Sequence, residues 1–195
     1  MLKNEKKSPK IGTLYLVTSA VIAALYVVLT LPFAQFAFGP IQFRLAEMMV
    51  VLPILTPAAI PGLTIGCFLT NLLNPNNLGP IDIVFGSLAT LLAAVCTRFI
   101  AQKWTRMPRL PRDFTALIPP VLLNALIVGT YLSYLLSDGA VTYSIIGWNM
   151  IYIGMSEAVV VYALGLPFLL VLRKTGIERI WMKNKPQHED AENKN

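Results

Sequence analysis

Apolar residues run in long blocks along this chain, separated by short polar or proline-containing joints, and the blocks predict six helices. They cover about Ile11–Leu31, Phe43–Leu55, Leu63–Leu73, Ile81–Ala101, Phe114–Leu136 and Ile145–Leu172. The joints differ in character. Pro32–Gln42 is uncharged and carries Phe33, Phe36 and Phe38, which suits either an aromatic lid over a pocket or an interfacial anchor. TPAAIPG (Thr56–Gly62) and NPNNLGP (Asn74–Pro80) read as turns, as does Ser137–Ser144, while Gln102–Asp113 holds Lys103, Arg106, Arg109 and Arg112. The third block is short for a spanning helix. Short spans often border binding sites, because irregular backbone survives at membrane depth only where protein or a cavity covers it.

Composition fixes the class. The chain is 55% hydrophobic and 13% charged, about half the charge of an average soluble domain. The expected fold is all-α: a polytopic membrane protein built as a six-transmembrane-helix bundle, with no length left for a soluble catalytic domain. The net charge of +6 follows topology. A basic arm (residues 1–10), the joint before the fifth block and a polar tail (175–195) hold nearly all the lysine and arginine. The joints after the first, third and fifth blocks hold none. By the positive-inside rule both termini of the 11–174 membrane domain are expected in the cytoplasm. The arm leads into an apolar run too long for a signal-peptide core, so that run is taken as the first span. Cys67 and Cys96 sit inside spans and the sole histidine, His188, in the tail, which gives no metal-ligand spacing and no Cys–His nucleophile.

Polar residues inside the apolar blocks carry the functional signal. Arg44 and Glu47 stand three apart in FGPIQFRLAEMMVVLP (Phe38–Pro53), where each charge costs roughly 2.5 kcal/mol or more on insertion scales. The orientation above sends Arg44, Glu47, Asn71, Asp82, Tyr131, Tyr134, Trp148, Asn149 and Tyr152 to the outer leaflet, with Glu157 deeper. Polar groups gathered at one end suit a pocket open to the outside better than a channel. Each has a plainer reading beside it. Arg44 and Glu47 are spaced to pair with each other. Asp82 suits a helix N-terminus. Asn124 and Asn149 suit interhelical hydrogen bonding, and Trp148 and Tyr152 an interfacial aromatic belt. Ser19, Ala20, Ala23 and Ala24 give the first span a smooth face, for packing within the bundle or for docking a separate membrane subunit.

FGPIQFRLAEMMVVLP, TPAAIPGLTIGCFLTNLL and GPIDIVFGSLATLLAA together resemble the QueT family of queuosine-precursor transporters, over about Ala20–Thr97. The C-terminal half is similar mainly in hydropathy and span count. The resemblance implies a substrate-binding (S) component of an energy-coupling factor importer in the cell membrane. It implies a 7-deazaguanine substrate, a membrane coupling subunit docked through Ala20 and Ala24, and two cytosolic ATPases that use the ATP, with no cofactor in this chain. The substrate-binding candidates are Arg44, Glu47, Asn71, Asp82, Trp148, Asn149 and Glu157. Carboxylates accept the paired N–H donors of a guanine-like edge, and a cationic aminomethyl group would call for a second carboxylate. No P-loop (GxxxxGK[ST]) is present. A membrane-embedded enzyme would need a nucleophile and base or a metal-ligand set, which the chain lacks. A stand-alone ion-coupled transporter of a small heterocycle is the alternative, with Glu157 near the midplane as its support.

Overall fold

A computed structural model describes residues 12–33, 44–74, 78–137 and 140–176. Among the described residues all regular structure is helical, in the order α1 (Thr13–Phe33), α2 (Leu45–Leu55), α3 (Ala59–Leu73), α4 (Pro80–Lys103), α5 (Arg109–Leu135) and α6 (Tyr143–Lys174). Helices α1, α4, α5 and α6 are long and apolar enough to cross a membrane, whereas α2 and α3 are shorter. Large apolar side chains such as Val28, Phe99 and Met155 stand outward and exposed. In water such a surface would be a liability; in lipid it is the solvated face. The basic arm, the aromatic joint beyond Phe33, the middle of the turn after Leu73 and the tail from residue 177 lie outside the described residues.

Helix α2 is the centre of the bundle. It contacts α1, α3, α4 and α6, and Ala46, Val50 and Val51 are completely buried. It runs as a 3₁₀ helix over Leu45–Val51 before relaxing to α over Leu52–Leu55. Seven residues are long for 3₁₀ geometry, whose hydrogen bonds are poorer than those of an α-helix, so burial on all sides has to hold the segment in place. Arg98 on α4 contributes by donating from Nη1 to the Pro53 carbonyl at 3.1 Å.

Two boundaries differ from the sequence expectation. Helix α3 starts at Ala59, inside the stretch read as a turn, because Pro61 falls in its first turn, where a missing N–H costs nothing. Helix α5 starts at Arg109, inside the joint read as a loop, and breaks at Leu117 ahead of Pro119 and Pro120. Asp113 explains the early start. Its carboxylate is buried and accepts hydrogen bonds from Arg112 and from both terminal nitrogens of Arg173 at the end of α6. That anchor folds the charged joint back as a helical turn. Both long C-terminal helices also carry π-turns, over Asn124–Val128 and Val159–Gly165, irregularities that often occur at functional sites.

The smooth face expected on α1 divides in two. Ser19, Ile22, Ala23, Tyr26 and Thr30 turn inward, and Ser19 Oγ donates to the Ala58 carbonyl at 2.9 Å. Ala20 and Ala24 face outward, exposed. The inward stripe seats so closely on α3 that a Cβ at Gly66 would lie 2.6 Å from Tyr26 Cβ. That contact is with the stem of the tyrosine, which cannot swing away without moving α1. Gly66→Val should therefore overpack this seam, at about 1–3 kcal/mol, and lower the melting temperature of the purified protein. Gly147, where an added Cβ meets nothing within 4 Å, is the control, and Gly147→Ala should melt like the wild type. Equal melting of both variants would mean that the α1–α3 seam has slack.

Candidate functional site

The site is built where the polar ends of these helices converge. Arg44 closes the N-terminus of α2 and Glu47 lies in its first turn. Asp82 lies in the first turn of α4, after Pro80, where the helix dipole favours a carboxylate. Among the described residues Arg44 pairs with Asp82 rather than with its near neighbour in sequence: Arg44 Nη2 is 3.8 Å from Asp82 Oδ1. Arg44 Nη1 lies 3.8 Å from the sulfur of Cys67 on α3. Each carboxylate is also held by a tyrosine. Tyr26 on α1 donates to Glu47 Oε1 and Tyr131 on α5 donates to Asp82 Oδ1, both at 2.6 Å. Asn71 Nδ2 donates to the Asp82 carbonyl at 3.1 Å, joining α3 to α4.

Glu157 on α6 reaches the same region. Asn124, which opens the π-turn of α5, is the side chain beside its carboxyl group, and Glu47 and Arg44 act on it electrostatically. Gly86, one turn beyond Asp82, leaves space for the assembly. A Cβ there would stand 2.7 Å from Asn71 Nδ2 and 3.5 Å from Tyr131 Oη.

All five of these polar residues are at least nine-tenths buried: Arg44, Glu47, Asn71, Asp82 and Glu157. Among the described residues, Glu47 Oε2, Asp82 Oδ2, Asn71 Oδ1 and Glu157 Oε1 accept no hydrogen bond. A buried polar atom left in that condition costs about 1–3 kcal/mol, more when charged. All four atoms are acceptors. The cluster is chemically suited to a molecule that brings hydrogen-bond donors into it.

The other expected site residues lie apart from this cluster. Trp148 is 60% exposed and pairs with the exposed Tyr152, ring centroids 6.2 Å apart, on an outward face of α6. Asn149 is half-buried, and its amide is committed to Ser133 Oγ at 2.9 Å, tying α6 to α5. Tyr26, Cys67 and Gly86 join the cluster without having been singled out from sequence. Tyr26 was open to detection. It falls seven residues after Ser19 and three after Ala23 on the inward stripe of α1, where an aromatic with a polar tip is out of character.

A bundle with membrane-length apolar helices and a buried, acceptor-rich polar cluster has the makings of a membrane transport protein, and comparison with known proteins gives the class. The model of the QueT transporter family matches residues 16–174, and the chain belongs to that family. Among curated proteins, the queuosine precursor transporter QueT of Lactococcus lactis subsp. cremoris (strain MG1363) is 38% identical over 85 residues. That stretch is 43% of this chain and 48% of the relative, so the match spans about half of each. No solved structure matches the chain.

The tyrosine props make a direct prediction. Tyr131→Phe keeps the ring and removes the donor to Asp82, and Tyr26→Phe does the same to Glu47. Hydrogen bonds to charged groups are worth about 1.5–3 kcal/mol, so each variant should lose stability of that order in reversible unfolding from mixed micelles. Unchanged stability would show that the hydroxyls are incidental to the carboxylates.

Proposed function

We propose that this chain is the substrate-binding (S) component of an energy-coupling factor importer in the cell membrane, and that it captures a queuosine precursor, a 7-deazaguanine base, from outside the cell. The observation that carries the reading is the set of unpartnered buried acceptors on Glu47, Asn71, Asp82 and Glu157 around Arg44. A guanine-like edge presents adjacent N–H donors, which a carboxylate accepts in pairs, and the relative's name supplies the class of base. In this reading the chain spans the membrane six times with both termini in the cytoplasm, so the cluster opens outward. It performs no chemistry. Its residues desolvate the base, align its donors and hold it while two partner ATPases supply the energy, and the chain itself needs no cofactor.

Docking to a membrane coupling subunit would use the outward face of α1. Ala20 and Ala24 are exposed there, one turn apart, and small residues let another helix approach closely. Ala23, on the neighbouring inward face, is already used by α3. The rival reading, a stand-alone ion-coupled transporter, draws on Glu157, a buried carboxylate with no ion pair among the described residues. Uptake in proteoliposomes separates the two. ATP-dependent uptake only with the coupling subunit and ATPases present is expected, lost in Ala24→Trp while ligand affinity is retained. Gradient-driven uptake by the chain alone would favour the rival, and full uptake by Ala24→Trp would remove that face from the docking surface.

A further inference from the structure

At the end of the bundle away from Tyr131 and Asp82, the start of α5 meets the end of α6. Between them lies an open cavity of about 310 Å³, lined by Arg109, Leu110, Asp113, Leu170, Arg173 and Lys174. Both Asp113 carboxylate oxygens are taken, by Arg112 and Arg173. That grip fixes the Arg173 guanidinium at the cavity wall. Arg109 and Lys174 are exposed and make no ion pair among the described residues. Across 104–116 and 166–176 Asp113 is the sole acidic residue. Arg109, Arg112, Arg173 and Lys174 therefore stand around one carboxylate, a local excess of positive charge.

Two ordinary accounts cover part of this arrangement. The positive-inside rule gathers basic residues on one side of a membrane. Arg173 and Lys174 also lie in the last turn of α6, where the helix dipole favours cations. Neither explains Arg109. It opens α5, at the positive end of that helix's dipole, with no acid in the turn to offset it. Nor does a preference for one side of the membrane require residues of two helices to share a cavity. An anion seated there would offset these charges together. The wall beside them is apolar: Leu110 and Leu170 line the cavity, and Phe114 and Val171 continue it outward, all four exposed. We infer that this cavity binds an anionic phospholipid. Its phosphoryl group is held by Arg109 and Lys174 over the fixed charge of Arg173, and its acyl chains lie along Leu110, Phe114, Leu170 and Val171. Basic pockets between membrane helices suit such headgroups, and the adjoining apolar wall favours a lipid over a soluble phosphate. The orientation proposed above enters only in assigning that lipid to the cytoplasmic leaflet.

The test is native mass spectrometry of the purified full chain, released from micelles doped with a concentration series of phosphatidylglycerol or of phosphatidylcholine. The wild type should retain phosphatidylglycerol in clear preference. The double variant Arg109→Gln, Lys174→Gln leaves the Asp113 anchor intact and should bind that lipid about thirtyfold more weakly, roughly a factor of five for each charge. Lys103→Gln with Arg106→Gln removes the same charge outside the cavity and should bind like the wild type. Equal wild-type retention of the two lipids would overturn the inference, and this comparison needs no variant to fold. An equal loss in the Lys103, Arg106 variant would also overturn it, by reducing the effect to a diffuse basic rim. Displacement of the lipid by inorganic phosphate at comparable concentration would make the occupant a soluble phosphate and sink the lipid assignment. Micelles have no sidedness, so each of these failures leaves the proposed orientation and function standing.

Discussion

A guanidinium buried at the meeting point of α2, α3 and α4 is the constraint that the surrounding structure answers. Arg44 cannot stay charged in an apolar bundle without acceptors, and Asp82 supplies one from a different helix. Asp82 needs its own donors in turn. Tyr131 comes from α5 to satisfy a carboxylate oxygen, and Asn71 from α3 reaches the backbone of the same residue. Gly86 keeps that amide in place, because a Cβ there would stand 2.7 Å from Asn71 Nδ2 and push it aside. Tyr26 is pressed into position by the glycine seam of α3 and holds Glu47. Packing and charge thus depend on one another: the close approach at Gly66 fixes the tyrosine, and the tyrosine fixes the carboxylate.

That dependence explains the unusual backbone of α2. A 3₁₀ helix eclipses side chains three apart and rises faster than an α-helix. From this segment Glu47 meets Tyr26 on α1 while Arg44, just before it, meets Asp82 on α4. Poorer backbone hydrogen bonding is offset by burial against four helices. A site whose side chains are held from several rigid elements is pre-organised, which lowers the cost of ordering them around a ligand.

The helical class and the positions of the apolar blocks were legible because hydropathy over about 20 residues is a strong signal. The cluster members Arg44, Glu47, Asn71, Asp82 and Glu157 were legible for the converse reason, since polar residues inside such blocks stand out. What could not be read was pairing. Spacing made Glu47 the obvious partner of Arg44, but ion pairing follows three-dimensional distance, and Asp82 is the nearer anion. Trp148 was ambiguous in principle, because an aromatic at a span's end looks the same whether it lines a pocket or faces lipid. The early start of α5 depends on Asp113 meeting Arg173, sixty residues away, which no local pattern reveals. On α1, four small residues close together looked like one face, and only the seating on α3 separates Ser19 and Ala23 from Ala20 and Ala24.

The central claim is that the buried charges read a ligand rather than merely neutralise one another. Calorimetry with a 7-deazaguanine queuosine precursor on folded Glu47→Gln and on the Arg44→Met, Glu47→Leu double variant tests it most directly. Truncating one partner of a buried charged hydrogen bond costs about 2–5 kcal/mol, so Glu47→Gln should bind more than tenfold more weakly, and the double variant should not recover the loss. A double variant that folds and binds like the wild type would contradict the account, and would make Arg44 and Glu47 structural counterweights with no part in recognition.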